Sequence, residues 1–319
     1  MAGIASTPAR EQATVRARPF ARFIDSDVFY SFRRRPGVIL SAIVVLVFVV
    51  SAAFAHWVAP HNPFDLATLN LLDAFTPPAF TGKGNPAYLL GTDDQGRDVL
   101  SAIIYGSRMS LLVGVLATLL AMVLGVSLGL VSGYAGGKID AFIMRVADVQ
   151  LSFPAILIAL LVDGLARAAL PRDMHDTVAV YVLVLAIAAS GWVRYARTVR
   201  GSTLVERNKE YVQAARVIGR HPLAIMFTHV LPNALGPVLV LVTLHIGEAI
   251  ITEATLSFLG VGVPPTQPSL GTLIRIGNDF LFSGEWWITV FPGAALVMLV
   301  LAINVLGDWL RDALNPRLR

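Results

Sequence analysis

The stretch LLVGVLATLLAMVLGVSLGLV, residues 111–131, carries no ionisable side chain. A helix needs about 20 predominantly apolar residues to cross the hydrocarbon core of a bilayer. This run has that length and no charge to hide, so it reads as a membrane-spanning helix. Small residues recur in it at every fourth position, at Ala117, Ala121, Gly125 and Gly129, and the series continues to Gly133. Lipid tails are as apolar as leucine, so membrane helices associate by close van der Waals contact, which small residues in register allow. A packing ridge is expected there. The pattern does not say which helix fills it.

Working outward, further runs suit a bilayer: Val38 to Ala55, Thr177 to Val193 and Trp287 to Leu306. Two more are less clean. Ala141 to Val162 contains Arg145, Asp148 and Pro154, and Leu235 to Thr255 contains His245, Glu248 and Glu253. Six spans result, so the fold class is an all-α integral membrane protein. Composition agrees: 55% of the 319 residues are hydrophobic and only 14% charged, against about 25% charged in soluble domains.

The basic residues orient these spans. With the N-terminus inside, 19 of the 25 Lys and Arg fall on inside segments: the tail (Arg10, Arg16, Arg18, Arg22, Arg33, Arg34, Arg35), Lys138 and Arg145, a loop from Arg194 to Arg220, and Arg311, Arg317 and Arg319. Such a bias marks the cytoplasmic side. Clustering of this kind also points to membrane orientation rather than nucleic acid. Both termini are expected in the cytoplasm. The expected layout is a tail 1–36, a first span 37–58 acting as an uncleaved anchor, an outer loop 59–108, a five-helix core 109–310 and a tail 311–319. Residues 1–22 are expected to be disordered. Within the core, a cytoplasmic loop spans 194–232 and an outer loop 256–286. Thr92, Asp93 and Asp94 are helix-start signals, so a short amphipathic helix is expected near Asp98–Gly106. Asp93, Asp94 and Arg97 either cap it or meet a partner. The glycines and prolines of 260–268 exclude a continuous helix, and that loop is expected to fold back into the bundle mouth.

Ionisable groups inside a bilayer must face protein or water. His245 and Glu248 share a helix face, with Glu253 further out. They either line a translocation path, or His245 and Glu248 pair with each other or with a neighbouring helix while Glu253 sits at the interface. Arg145 and Asp148, three apart, are expected to form an ion pair. Cysteine is absent, which excludes disulfides and thiolate chemistry, and no HExxH pattern occurs. SGYAGGKI, residues 132–139, fails the phosphate-loop pattern at both ends and reads as a tight turn. No catalytic, cofactor or metal site is expected. Any ATP hydrolysis must belong to another polypeptide.

Residues 210–233, EYVQAARVIGRHPLAIMFTHVLPN, form a polar insert between two apolar runs. With Ala214, Ala215, Gly219, Leu231 and Pro232 in place, the insert resembles the cytoplasmic signature loop of bacterial ABC importer permeases. Gln213 stands where that pattern has Glu, and His229 where it has Ile. Two further segments, 89–114 and 253–274, resemble the dipeptide/oligopeptide branch, C-type subunit. The resemblance implies a type I importer permease fold in the bacterial inner membrane. It implies a coupling helix in which Glu210, Tyr211, Val212, Gln213, Ala214, Ala215 and Arg216 dock on an ATPase, with Tyr211, Val212, Ala214 and Ala215 as the contact face and Gly219 as the stop. The implied partners are a second, homologous permease, two ATPase subunits carrying ATP and Mg, and a periplasmic or lipid-anchored peptide-binding protein. Relatives of this branch carry dipeptides, longer peptides, glutathione or nickel complexes. Two other readings compete: a stand-alone secondary transporter or channel relaying ions through His245, Glu248 and Glu253, and a membrane scaffold.

Overall fold

The computed structural model describes residues 27–65, 69–171, 174–264 and 266–314. Tail residues Arg10 to Arg22, and Arg172, Arg317 and Arg319, lie outside the described residues, as does the stretch 1–22. Most of the described residues are helical, the long loop 59–98 being the main exception. A short helix α1 (Asp27–Arg34) leads into α2 (Pro36–Ala53), and α3 (Val99–Ala135) is 37 residues long. Then come α4 (Gly137–Leu151), α5 (Ala155–Ala169), α6 (His175–Glu206), α7 (Glu210–Val217), α8 (Gly236–Phe258), α9 (Leu270–Asn278) and α10 (Trp287–Leu314). Five of these, α2, α3, α6, α8 and α10, are long and apolar enough to cross a membrane.

The expected span Ala141–Val162 is not one helix. It is broken between α4 and α5, which meet at 99°. Pro154 lies in extended backbone at the break. A proline disfavours helical backbone at the residue before it, so the chain turns at that point. The pair supplies a sixth candidate span only if the two halves are taken together. The amphipathic helix expected near Asp98–Gly106 is also not separate. It is the first part of α3, because residues 98–110 hold no proline and Asp98 caps the whole length. The loop expected to begin at Arg194 begins only after Glu206, where α6 ends.

The packing ridge of α3 faces α6. Ala117, Ala121, Gly125, Gly129 and Gly133 are all buried. A Cβ added at Gly125 would lie 2.4 Å from the Trp192 carbonyl oxygen and 2.5 Å from Tyr195 Cβ, and one at Gly129 would lie 2.4 Å from the Ala196 oxygen. Only glycine permits that approach. Gly133 meets Thr203 one turn on. At the end of the seam, Arg207 Nη1 donates to the carbonyls of Gly133 (2.8 Å) and Tyr134 (3.4 Å), satisfying acceptors that the helix end leaves open. Gly136 and Gly137 then turn the chain into α4 with φ of 68° and 56°.

At the other end, residues 91–98 form a tight turn that pins the long loop to the bundle. Asp93 accepts from the Gln95 and Arg97 amides, both at 2.9 Å, and Arg97 Nε donates to it at 2.6 Å. The helix cap is Asp98, which accepts from Ser101 N at 3.0 Å. Thus Asp93 organises the turn, not the helix start. Burial raises the Asp94 carboxyl above the ordinary range, with the Asp93 charge adding to it and Arg97 opposing it. Trp287, opening α10, donates to the Thr92 carbonyl at 3.0 Å. α9 folds back between α3, α8 and α10. It is started by Ser269, whose hydroxyl accepts from Thr272 N at 3.3 Å.

Candidate functional site

Two regions carry polar chemistry: the segment around α7, and a layer of ionisable groups on α6 and α8.

α7 is an eight-residue helix with no stability of its own, so what it packs on decides its attitude. Val212 and Ala215, three apart on one face, are buried among Tyr195, Val199, Met226 and Val230. This corrects the expected contact face: two of its four residues point into the chain's own core. Tyr211 and Ala214 remain exposed, joined by Glu210, Gln213 and Arg216. The largest apolar surface lies at the helix end, where Val217 is 88% and Ile218 78% exposed. Only the fold could reveal this, because Val212 and Val217 are alike as sequence.

The stop at Gly219 is a Schellman motif. Arg220 N bonds to the Ala215 carbonyl at 3.1 Å and Gly219 N to the Arg216 carbonyl at 3.0 Å, with Gly219 at φ 76°. No atom lies within 4 Å of a Cβ built there, so glycine is required by backbone conformation rather than by space. The return path holds α7 in place. Asn233 Nδ2 donates to Tyr211 Oη (3.1 Å) and to the His229 carbonyl (2.7 Å), and Tyr211 donates to Glu206. Burial, then the Glu206 bond, raises the Tyr211 hydroxyl pKa. Arg220 Nη1 lies 3.0 Å from His229 Nε2. Leu231 and Pro232 begin a short helical turn (Leu231–Ala234) after a π-helical stretch, Met226–Val230. Proline has no amide to donate and crowds the carbonyl four residues back. The wider π turn accommodates it, with Leu231 N reaching Met226 O.

The second region separates three groups that the sequence placed together. Glu253 is fully buried, not interfacial. Its carboxylate accepts from Ser110 and Ser257, both at 2.7 Å, and so ties α3 to α8. Ser110 also accepts from Leu270 N at the start of α9 (3.3 Å). His245 is buried against Tyr195, whose hydroxyl lies 3.0 Å from its Nδ1. Glu248 is open. Its two oxygens take both terminal nitrogens of Arg194, one at 2.7 Å. Of the expected alternatives, His245 and Glu248 therefore pair with a neighbouring helix, α6, and not with each other. The expected Arg145–Asp148 pair is replaced too: Asp148 bonds to Arg197. Arg200 holds Asp140, with Nη2 to Oδ2 at 2.7 Å. The spacing Arg194, Arg197, Arg200 is a sequence signal for one helix face, hidden when these arginines are counted as loop.

Residues 125–319 match the family of inner membrane components of binding-protein-dependent transport systems. Residues 26–78 match the N-terminal transmembrane domain of oligopeptide transport permease C. The chain belongs to the binding-protein-dependent transport permease family. It is a multi-pass, non-catalytic transport subunit of the inner membrane, and such a system includes an ATPase and a binding protein. Among similar proteins, the dipeptide transport system permease DppC of Haemophilus influenzae is 39% identical over 92% of this chain and 95% of its own length. DppC of Escherichia coli K12 is 41% identical over 92% and 93%. The oligopeptide permease OppC of Bacillus subtilis is 35% identical over 92% and 90%. A solved structure of the MetNI methionine ABC transporter, facing inward, superposes with a TM-score of 0.52 at 18% identity. It covers 68% of this chain and 96% of that one, and shares the fold.

Proposed function

We propose that this chain is one of two homologous permease subunits of an ATP-driven importer for short peptides, with α7 as the lever on which one of two ATPase subunits pulls. Similarity to DppC and OppC proteins supports the substrate class. The single observation that carries the lever is the geometry of α7. It has Tyr211, Ala214, Val217 and Ile218 on the outside, while Val212 and Ala215 are buried in the chain's own core, beside the turn Pro222–Ile225. Movement of its outer face is thereby passed into the core cluster that Val212 and Ala215 share with Tyr195 and Val199 of α6. Small and medium apolar side chains at such a face lose little rotamer freedom on docking. The ATPases carry ATP and Mg, this chain carries no cofactor, and a periplasmic or lipid-anchored binding protein delivers the peptide. The face bearing α7 is placed in the cytoplasm with both termini, in keeping with the arginine distribution.

Of the groups considered for the path, Glu248 is assigned to it. His245 lies behind it and Glu253 serves the internal framework. The test is Val217→Asp combined with Ile218→Asp. Both side chains are exposed, so the subunit should insert and melt normally. Recovery of the ATPase with the permease should fall at least tenfold, and peptide uptake with it. Undiminished recovery and uptake would remove α7 from the docking role.

A further inference from the structure

Glu248 and Arg194 form an ion pair in an unusual place. A Cβ at Gly191 would touch the His245 ring at 2.5 Å and Ala121 Cβ at 3.6 Å, and Gly125 abuts Trp192 and Tyr195. His245 therefore lies level with Ala121 and Arg194 near Gly125, while the turn that carries Glu248, between Ile246 and Ile250, lies level with Gly114, so the pair reaches across residues 114–125 of the uncharged run 111–131. The pair thus joins the middle of α8 to the inner end of the α6 apolar run, still beside the uncharged run of α3. Yet its side chains are 40% and 47% exposed. Charges placed there do not face lipid, because hydrocarbon penalises each by several kcal/mol. Their open side faces away from lipid, toward the path or the second permease subunit.

The surrounding residues describe that open side. On α8, Ile251 is exposed and Leu241, Leu244 and Thr255 are half-buried, in register with Glu248. Gly247, Ala249, Ile250, Glu253 and Ala254 on the other side are buried. Behind the pair, the Tyr195 hydroxyl engages His245. Arg197 and Arg200 are engaged by Asp148 and Asp140. Arg194 and Glu248 thus have each other and the open side.

We propose that Arg194 and Glu248 are a charge-exchange station for zwitterionic substrates. The pair opens around the passing molecule, with Arg194 taking its carboxylate and Glu248 its ammonium, and closes behind it. One ion pair becomes two and then one again. No charge is left unpaired inside the bundle, which is the costly event where water is scarce. A guanidinium suits the task because its planar fork binds a carboxylate in two-pronged fashion. The station rests on the peptide reading above, since it requires a substrate that carries both charges.

The chain has no cysteine, so Ile251→Cys creates its only thiol, beside the pair without altering it. In the assembled transporter, reconstituted with its ATPases and binding protein, a charged, water-soluble methanethiosulfonate should modify this thiol. Alanyl-alanine supplied under turnover should slow the modification several-fold. Glu248→Gln should lower ATP-driven alanyl-alanine uptake at least tenfold, and Glu248→Asp should restore part of it. An unreactive thiol in the Ile251→Cys complex would mean that lipid or another subunit covers the face, and would overturn the proposal. So would normal uptake by Glu248→Gln. If the unaltered complex takes up no alanyl-alanine at all, the peptide reading fails and the station with it. Uptake by the unaltered complex alongside an indifferent Glu248→Gln sinks the station alone.

Discussion

The seam between α3 and α6 and the segment from Asn208 to Leu235 adjoin each other and follow opposite rules. The seam is built from glycine and alanine meeting backbone at separations no side chain would permit. The segment is built from short helical pieces, a left-handed glycine, a π turn and a proline, held by side-chain hydrogen bonds. Interiors packed that closely transmit displacement rather than absorb it. Short pieces joined by turns can re-angle. A rod that does not bend, moved by a linkage that does, is what conversion of a local pull into a rigid-body tilt requires.

The contrast can be broken at either side. The largest effect belongs to Gly129→Leu. Its Cβ alone would sit 2.4 Å from the Ala196 oxygen. Overpacking costs about 1–3 kcal/mol and sometimes more, so a clear fall in melting temperature and loss of well-behaved subunit in detergent are expected. A variant that melts normally would show that the seam is loose. Next is Glu253→Ala, which leaves the hydroxyls of Ser110 and Ser257 without their acceptor. Removing one partner from a buried hydrogen-bonded group costs about 1–3 kcal/mol. Thermal unfolding of the purified subunit reads this, and a neutral result would contradict a framework role. Gly219→Val comes third. A left-handed conformation costs a residue with a Cβ roughly 1–2 kcal/mol, with no clash added. Global melting should hardly change while peptide uptake and transport-coupled ATP hydrolysis fall. Unaltered coupling would mean that the linkage does not need its stop.

The smallest effect is a pH dependence at the loop turn. The Asp94 carboxyl is raised in the folded chain by burial, so ionising it opposes folding. That burden is absent below the unfolded-state pKa and grows as pH rises through the folded one. Asp94→Asn removes it. The variant should gain stability relative to the parent on going from acid to neutral pH, read by melting curves at several pH values. A gain that shrinks with rising pH would show the sign to be wrong.

How much of this is legible in the sequence follows from how local each cause is. Gly219 as a helix stop is legible, because a left-handed cap is a property of a few consecutive residues. The ridge from Ala117 to Gly133 is legible as a surface, since helical periodicity makes each of those residues a neighbour of the next along an inclined row. That α6 fills it is not, because the matching glycines say only how near a neighbour comes. The face of α7 is half legible. Tyr211, Val212, Ala214 and Ala215 are all plausible contacts until Val212 and Ala215 are seen against Met226 and Val230. Glu253 misleads because its partners, Ser110 and Ser257, are uncharged and give no complementary signal. Asp148 misleads because the nearer arginine in sequence, Arg145, is not the one that bonds to it in space.

What the sequence alone determined is the solvent of this protein. Runs of uncharged residues and the absence of cysteine are additive properties that no tertiary arrangement reverses. What only the tertiary structure decided is which acids and bases find each other across helices, and which are walled in. Glu248 and Glu253 are the same residue type on the same helix, a turn and a half apart. One is enclosed by serines and the other opens outward with Arg194, because burial and partnership arise between helices that the chain brings together only on folding.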